Sequence, residues 1–126
     1  MEQTREILVV EDDRAIRRLL RMVLQREGYV VQEAADGVEA VLKLGISDYD
    51  VIVLDLMMPN LDGFAFISTL AERDAARLKR IIVTSAASPS VIEGRMRATP
   101  FDTVSKPFDL TDLVSRVRAC ITAQTE

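Results

Sequence analysis

Charged and hydroxyl side chains follow four of the strand-like stretches in this sequence. Glu11-Asp12 follows residues 7–10, Asp55 follows residues 51–54, Thr84-Ser85 follows residues 81–83, and Lys106 follows residues 101–105. Carboxylate oxygens are the ligands that Mg²⁺ prefers, and a lysine ammonium group binds phosphate oxygens. A carboxylate also attacks phosphorus when a metal ion neutralises the incoming charge. These residue types predict Asp55 as a phosphoryl acceptor beside a Mg²⁺ site, with Lys106 and a hydroxyl of Ser85 or Thr84 on the phosphoryl oxygens.

Each of these residues also has an ordinary structural explanation. An acidic residue after a strand is often the N-cap of the next helix, and Asp13 is a candidate for that role. A Lys-Pro pair commonly forms a surface turn, and a single serine usually has no special function. Capping does not explain complementary charges at four strand ends, however. A shared site is therefore the better interpretation.

The composition excludes several other kinds of site. The 126-residue sequence contains no histidine, which rules out histidine metal ligands and a histidine general base. Its single cysteine, Cys120, cannot form an internal disulfide, and we expect the protein in the reducing cytoplasm. The net charge of −4 disfavours binding to nucleic acid through its phosphates. The polar N-terminus and the short apolar run after it predict neither a secretory nor a membrane segment.

Strand-like and helix-like stretches alternate five times along the chain. The predicted strands lie at residues 7–10, 29–33, 51–54, 81–83 and 101–105. Most are uninterrupted apolar runs, which are typical of parallel strands buried on both faces by helices. We therefore predict a single α/β domain over residues 1–126, with a doubly wound parallel sheet. Such sheets bind ligands beyond the carboxyl ends of their strands, where the residues above would meet.

The predicted helices differ in the strength of their patterns. Apolar residues at period 3.6 mark a helix after Asp13, and Gly28 is well placed to end it. Over residues 89–98 the helical pattern is poor. Four arginines lie on the first helix: Arg14, Arg17, Arg18 and Arg21. This basic stripe is either a docking surface for a phosphodonor protein or a solvated polar face.

The whole pattern resembles the receiver domain of two-component response regulators, over essentially the full chain. The matching stretches are residues 7–13, residues 55–63 (DLMMPNLDG), residues 81–86 (IIVTSA) and residues 106–108 (KPF). The resemblance implies a flavodoxin-like fold of five βα units with strand order 2-1-3-4-5. It also implies that Asp55 is the phosphoacceptor in a magnesium-dependent reaction.

The resemblance further implies a role for each remaining residue of the site. Asp12 would contact Mg²⁺ directly and Glu11 through water, with Asp55 and the backbone carbonyl of Met57 completing the protein ligands. Met58 is better interpreted as a packing residue.

Two residues would bind the phosphoryl group itself. Counted from the start of the fourth strand, Ser85, which Ala86 follows, matches the switch hydroxyl of the family better than Thr84 does. Lys106 would sense the phosphate, and its bond to Pro107 would be cis.

Partners are implied by the same resemblance. A sensor histidine kinase or a histidine phosphotransfer protein would donate the phosphoryl group, and a second copy or a downstream protein would bind through the last helices. Neither nucleic acid nor membrane is expected to bind this domain. It would assist its own phosphorylation and dephosphorylation as a signalling domain rather than act as an enzyme.

The sequence departs from the family in two places that bear on the output. Thr103 stands where the family often has Tyr or Phe, three residues before the lysine. Residues 95–100 lack the usual Gly-Ala, and Pro100 would shorten the fourth helix.

Two other classes of function use residues of this kind. One is an interaction module that is not phosphorylated. The other is a phosphohydrolase of the haloacid-dehalogenase type, which would need an Asp at the position of Met57.

Overall fold

The computed structural model describes residues 4–58 and 60–125; residues 1–3, Pro59 and Glu126 lie outside this part. Five parallel strands form the central sheet: β1 Glu6–Val10, β2 Val30–Ala34, β3 Val51–Asp55, β4 Ile81–Ser85 and β5 Asp102–Ser105. Their order across the sheet is β2-β1-β3-β4-β5. The predicted strand order and the doubly wound, flavodoxin-like fold are therefore confirmed.

Five helices connect and cover the strands: α1 Arg14–Arg26, α2 Gly37–Ile46, α3 Gly63–Arg73, α4 Pro89–Arg95 and α5 Leu110–Thr125. A single helical turn, Ala75–Leu78, follows α3, and two-residue strands Met57–Met58 and Leu61–Asp62 pair antiparallel after β3. The sequence did not predict these three short elements, since they are too short to show a period. None of the helices in the described part is long and apolar enough to cross a membrane.

The two faces of the sheet bury separate apolar clusters. On one face, Leu54 packs in a cluster with residues of α2, α3 and α4; on the other, Val53 packs in a cluster with residues of α1 and α5. All five residues of β3 are buried, as expected for a strand covered on both sides. This arrangement leaves the carboxyl ends of the strands as the edge where loops can meet.

The ends of the elements follow from local chemistry. Asp13 caps α1, because its side-chain oxygen accepts a hydrogen bond from the Ile16 N–H at 3.0 Å. Gly28 lies just beyond α1 with φ of 94°, a left-handed conformation that favours glycine. Both expectations for this helix are confirmed.

Some predicted boundaries differ from the structure. β2 begins at Val30 and ends at Ala34, one residue later than the predicted strand, and β4 continues through Ser85. α4 covers only seven residues and ends at Arg95, well before Pro100. The poor pattern over residues 89–98 therefore corresponds to a short helix.

Candidate functional site

The register of the sheet brings three predicted site residues together. β1 and β3 pair Val10 with Leu54, so that Glu11 and Asp55 come next along their chains at neighbouring positions. The backbone N–H of Lys106 donates to the Ser85 carbonyl at 2.7 Å and carries the pairing of β4 and β5 one residue further. Parallel strands thus deliver the acidic residues and the lysine to one edge.

The side chains of these residues are in direct contact. Lys106 Nζ donates to Glu11 Oε1 at 2.7 Å and to Asp55 Oδ2 at 2.9 Å. Glu11 and Asp55 are only 2% and 4% exposed, whereas Asp12 is exposed. One carboxylate oxygen from each of the three acidic residues lies within 4.8 Å of the others. The site is therefore an acidic pocket with one ammonium group inside it.

Backbone groups hold the two buried carboxylates in place. Glu11 Oε2 accepts the Asp13 N–H at 3.2 Å, and the Glu11 N–H donates to the Ala34 carbonyl at 3.1 Å. Asp55 Oδ1 accepts the Met57 N–H at 3.1 Å. Each carboxylate therefore has one oxygen on a backbone amide and the other on Lys106.

Burial and crowding change the titration of this cluster. Burial raises the pKa of Glu11 from 4.5 to about 7, and the neighbouring charge of Asp55 acts in the same direction. The hydrogen bonds from Lys106 and from the Asp13 N–H oppose that rise without cancelling it. Burial lowers the pKa of Lys106, but the hydrogen bonds to Glu11 and Asp55 and the charges of these two carboxylates together outweigh burial, so its pKa is raised and it stays charged.

The donor set fits Mg²⁺. All three side chains offer oxygen, the ligand type that this ion prefers. Oxygens bound to one Mg²⁺ at about 2.1 Å lie at most about 4.2 Å apart. The three oxygens, which lie within 4.8 Å of one another, are thus gathered close to the spacing that one ion requires.

The remaining predicted residues lie around this pocket. Thr84 and Ser85 are both buried, and Ser85 Oγ accepts the Ala87 N–H at 3.0 Å, within its own loop. Met57 is exposed and Met58 is buried in the core, as the packing interpretation of Met58 predicted.

Two further expectations concern the last strand and the loop after it. The Lys106–Pro107 bond is cis, as the resemblance implied. Thr103 lies in β5 opposite Val83 and is partly buried.

The arginine stripe of α1 divides into two kinds of residue. Arg17 and Arg21 form ion pairs with Glu33 of β2, whereas Arg14 and Arg18 are exposed and form no ion pair with a described residue. Arg17 also donates to the backbone carbonyl of Glu11 at 2.9 Å. Sequence reasoning missed this contact. The available signal was its position in the second turn of α1, since helical side chains lean toward the N-terminus of their helix.

Comparison with known proteins places this chain in a family. The family model of the response regulator receiver domain matches residues 7–118. The chain belongs to this family. Receiver domains are signalling domains that accept a phosphoryl group and bind Mg²⁺ at an acidic pocket, and the acidic residues of this receiver domain form such a pocket.

Individual relatives agree with this assignment. The receiver domain is 41% identical over 123 residues to transcriptional regulatory protein ResD of Bacillus subtilis, a match that covers 96% of this chain and 50% of ResD. The chain thus spans about half the length of this relative.

Solved structures share its fold. The receiver domain of a Francisella response regulator superposes with a TM-score of 0.86 at 29% identity, covering 96% of this chain and 99% of that one. The response regulator TrrA of Thermotoga maritima, in complex with Mg²⁺-BeF, has a TM-score of 0.76 at 30% identity, covering 93% and 99%.

Proposed function

We propose that this receiver domain accepts a phosphoryl group on Asp55 from the phosphohistidine of a sensor histidine kinase or of a histidine phosphotransfer protein. The observation that carries the proposal is the contact of one ammonium group, Lys106 Nζ, with both Asp55 and Glu11. A buried carboxylate beside a cation can receive a phosphoryl group whose oxygens the same cation then binds. The similar response regulator TrrA, named above, was solved in complex with Mg²⁺-BeF, which supports a Mg²⁺-dependent function for this domain.

The transfer step balances with the residues of the site. One carboxylate oxygen of Asp55 forms a bond to phosphorus as the P–N bond of the phosphohistidine breaks, and the departing imidazole takes up a proton. Lys106 would follow the new phosphoryl oxygens with its ammonium group. Because it touches Asp55 already, it needs only a small displacement to do so.

Charge balance supports a requirement for Mg²⁺. Glu11, Asp12 and Asp55 carry three carboxyl groups against the single ammonium group of Lys106. An incoming phosphoryl group adds further negative charge to this buried pocket. A bound Mg²⁺ would neutralise that charge, with Glu11, Asp12, Asp55 and the backbone carbonyl of Met57 as its protein ligands.

The output of phosphorylation would pass through β4 and β5. Ser85, which we prefer to Thr84 as the second phosphoryl-binding group, stands at the end of β4, and Lys106 directly follows β5. Movement of these two side chains toward the phosphoryl oxygens would shift the loops before α4 and α5. A downstream protein or a second copy would detect this change in the face formed by α4, β5 and α5. The reaction would take place in the cytoplasm.

An interaction module that is never phosphorylated is the weaker alternative. Such a module has no need of an acidic pocket with a lysine inside it. Three carboxyl groups and the cation all meet at the pocket, although burial destabilises the ionised form of Glu11. A site that costs stability in this way is better explained by chemistry than by packing.

The proposal is tested with phosphoramidate, a small donor that carries a P–N bond as phosphohistidine does. Wild-type protein incubated with phosphoramidate and Mg²⁺ should gain one phosphoryl group, seen as a mass increase of the intact protein, and EDTA should prevent the gain. Asp55→Asn should gain none under the same conditions. Asp13→Asn is the matched control, because it keeps the capping oxygen of α1 and lies outside the pocket.

Two results would overturn the proposal. One is uptake by Asp55→Asn at the wild-type rate, which would place the acceptor elsewhere. The other is a wild-type protein that stays unmodified with donor and Mg²⁺ present, which would favour the interaction module.

A further inference from the structure

A set of side-chain contacts links the edge strand β2 to the loop that carries Glu11 and Asp12. Arg17 Nε donates to Glu33 Oε1 at 3.1 Å, and Arg17 Nη1 donates to the Glu11 carbonyl at 2.9 Å. The same Nη1 lies 3.5 Å from the Asp12 carbonyl. The Arg17 side chain is 15% exposed, which is low for an arginine on a surface helix. The planar guanidinium group of Arg17 is therefore held between β2 and the loop that carries Glu11 and Asp12.

Glu33 is itself fixed from several sides. Arg21 Nη1 donates to Glu33 Oε2 at 2.8 Å, and Lys43 of α2 donates to the Glu33 backbone carbonyl. Both arginines lower the pKa of Glu33 against the effect of its burial, so it stays ionised. Glu33 is thus a firm attachment point for Arg17.

We propose that Arg17 is a positioning residue for the acidic loop, holding the backbone of Glu11 and Asp12 in the geometry that binds Mg²⁺. The proposal rests on the function proposed above. Arg17 contacts the backbone carbonyls of the loop rather than the carboxylate oxygens. It therefore affects the positions of the metal ligands and not their charge. Its charge is balanced by Glu33.

The physical reason is preorganisation. Carboxylates crowded in one pocket repel each other, and a loop that is free to move would let them separate. Asp12 is the exposed member of the acidic group. A loop already fixed by Arg17 needs little ordering when the ion binds, and groups that orient metal ligands commonly contribute tenfold or more to affinity.

Arg21 provides a matched control for the test. It lies one turn further along α1 and binds the same carboxylate, but its contact is with Glu33 alone among the hydrogen bonds described for its side chain. Removing Arg21 therefore takes away an ion pair without touching the acidic loop. Arg17→Lys is a second control, because it keeps the positive charge and can donate to the Glu11 carbonyl but lacks the planar guanidinium group that spans the Glu11 carbonyl and Glu33.

The experiment measures Mg²⁺ affinity by calorimetry on the wild type and the three variants. We expect Arg17→Gln to weaken Mg²⁺ binding about tenfold. We expect Arg21→Gln to stay within about twofold of the wild type, as for an exposed ion pair. Arg17→Lys should recover part of the loss. In phosphorylation with phosphoramidate, Arg17→Gln should raise the half-saturating Mg²⁺ concentration more than it lowers the rate at saturating Mg²⁺.

Three results would overturn the role of Arg17: wild-type affinity in Arg17→Gln, an equal loss in Arg21→Gln, or no recovery in Arg17→Lys. Urea unfolding of both glutamine variants provides the stability control. A merely structural role would lower stability without a selective loss of Mg²⁺ affinity.

A metal-free measurement separates this proposal from the function of the site. Amide hydrogen exchange at residues 11–13 should be faster in Arg17→Gln than in Arg21→Gln. If the wild type accepts no phosphoryl group or binds no Mg²⁺, the proposed function fails, and this exchange comparison still decides about Arg17. Equal exchange in the two variants would overturn the positioning role.

Discussion

Lowering the pH from 8 to 6 should weaken Mg²⁺ binding by about tenfold. The reason is the raised pKa of Glu11, about 7, which burial and the neighbouring Asp55 produce. A proton on this carboxyl group competes with the ion, so affinity follows the ionised fraction. With a pKa of about 7 that fraction is about ten-elevenths at pH 8 and about one-eleventh at pH 6. An ordinary glutamate, with a pKa of about 4.3, would stay almost fully ionised throughout.

Lowering the pH has the opposite effect on the stability of the metal-free protein, which it increases. The pKa of Glu11 is higher in the folded than in the unfolded protein, so between about pH 4.5 and pH 7 the metal-free native state binds more protons than the unfolded state does. The stabilisation from this proton is therefore present below that window and is lost as the pH rises through it. Mg²⁺ removes the penalty at high pH, so saturating Mg²⁺ should stabilise the protein more at pH 8 than at pH 6.

Calorimetry at pH 8, 7 and 6, at constant ionic strength, measures the affinity for Mg²⁺ by titration and the stabilisation by Mg²⁺ by thermal unfolding. At pH 6 each bound ion should release nearly one proton, seen as a heat that depends on the ionisation enthalpy of the buffer. Glu11→Gln is the control, since it cannot titrate: its affinity should be lower than that of the wild type at pH 8 and nearly flat with pH. Equal wild-type affinities at pH 8 and pH 6 would refute the reasoning, as would an unchanged pH dependence in Glu11→Gln.

Two other predictions concern stability and reactivity. Gly63→Ala should lower the free energy of unfolding in urea by about 1–3 kcal/mol, because a Cβ there would lie 2.6 Å from the Leu56 carbonyl oxygen and 2.7 Å from Leu56 Cα. Gly45→Ala, where a Cβ meets nothing within 4 Å, should raise it by about 0.5–1 kcal/mol; shifts of the same sign would contradict this account. Burial raises the pKa of Cys120 to about 11, so a thiol reagent at pH 8 should modify it far more slowly in native than in denatured protein. Equal rates in the two states would show that the thiol is accessible.

The sequence was sufficient to predict the residues that meet in the pocket. Apolar runs without polar interruption indicate strands buried on both faces, and parallel strands bring their carboxyl ends to one edge. Glu11 and Asp55 could therefore be placed together from the sequence, and Lys106 beside them because it follows the fifth predicted strand. Their contacts at 2.7 Å and 2.9 Å agree with that placement.

Other features were not predictable, because they depend on tertiary contacts. The hydrogen bond from Arg17 to the Glu11 carbonyl joins a side chain to a backbone atom. Such a contact produces no periodic pattern in the sequence. The direction of the Ser85 hydroxyl, toward the Ala87 N–H, depends on a rotamer. The raised pKa of Glu11 arises mainly from burial, which a strand-end position alone does not reveal.

The most direct test of the central claim locates the phosphoryl group on the chain. Borohydride reduces an aspartyl phosphate to homoserine, and trypsin then releases residues 44–73, which contain Asp48, Asp50, Asp55 and Asp62. After treatment with phosphoramidate and Mg²⁺, fragmentation of this peptide should show homoserine at position 55 alone. Homoserine at another aspartate, with Asp55 unchanged, would contradict the account.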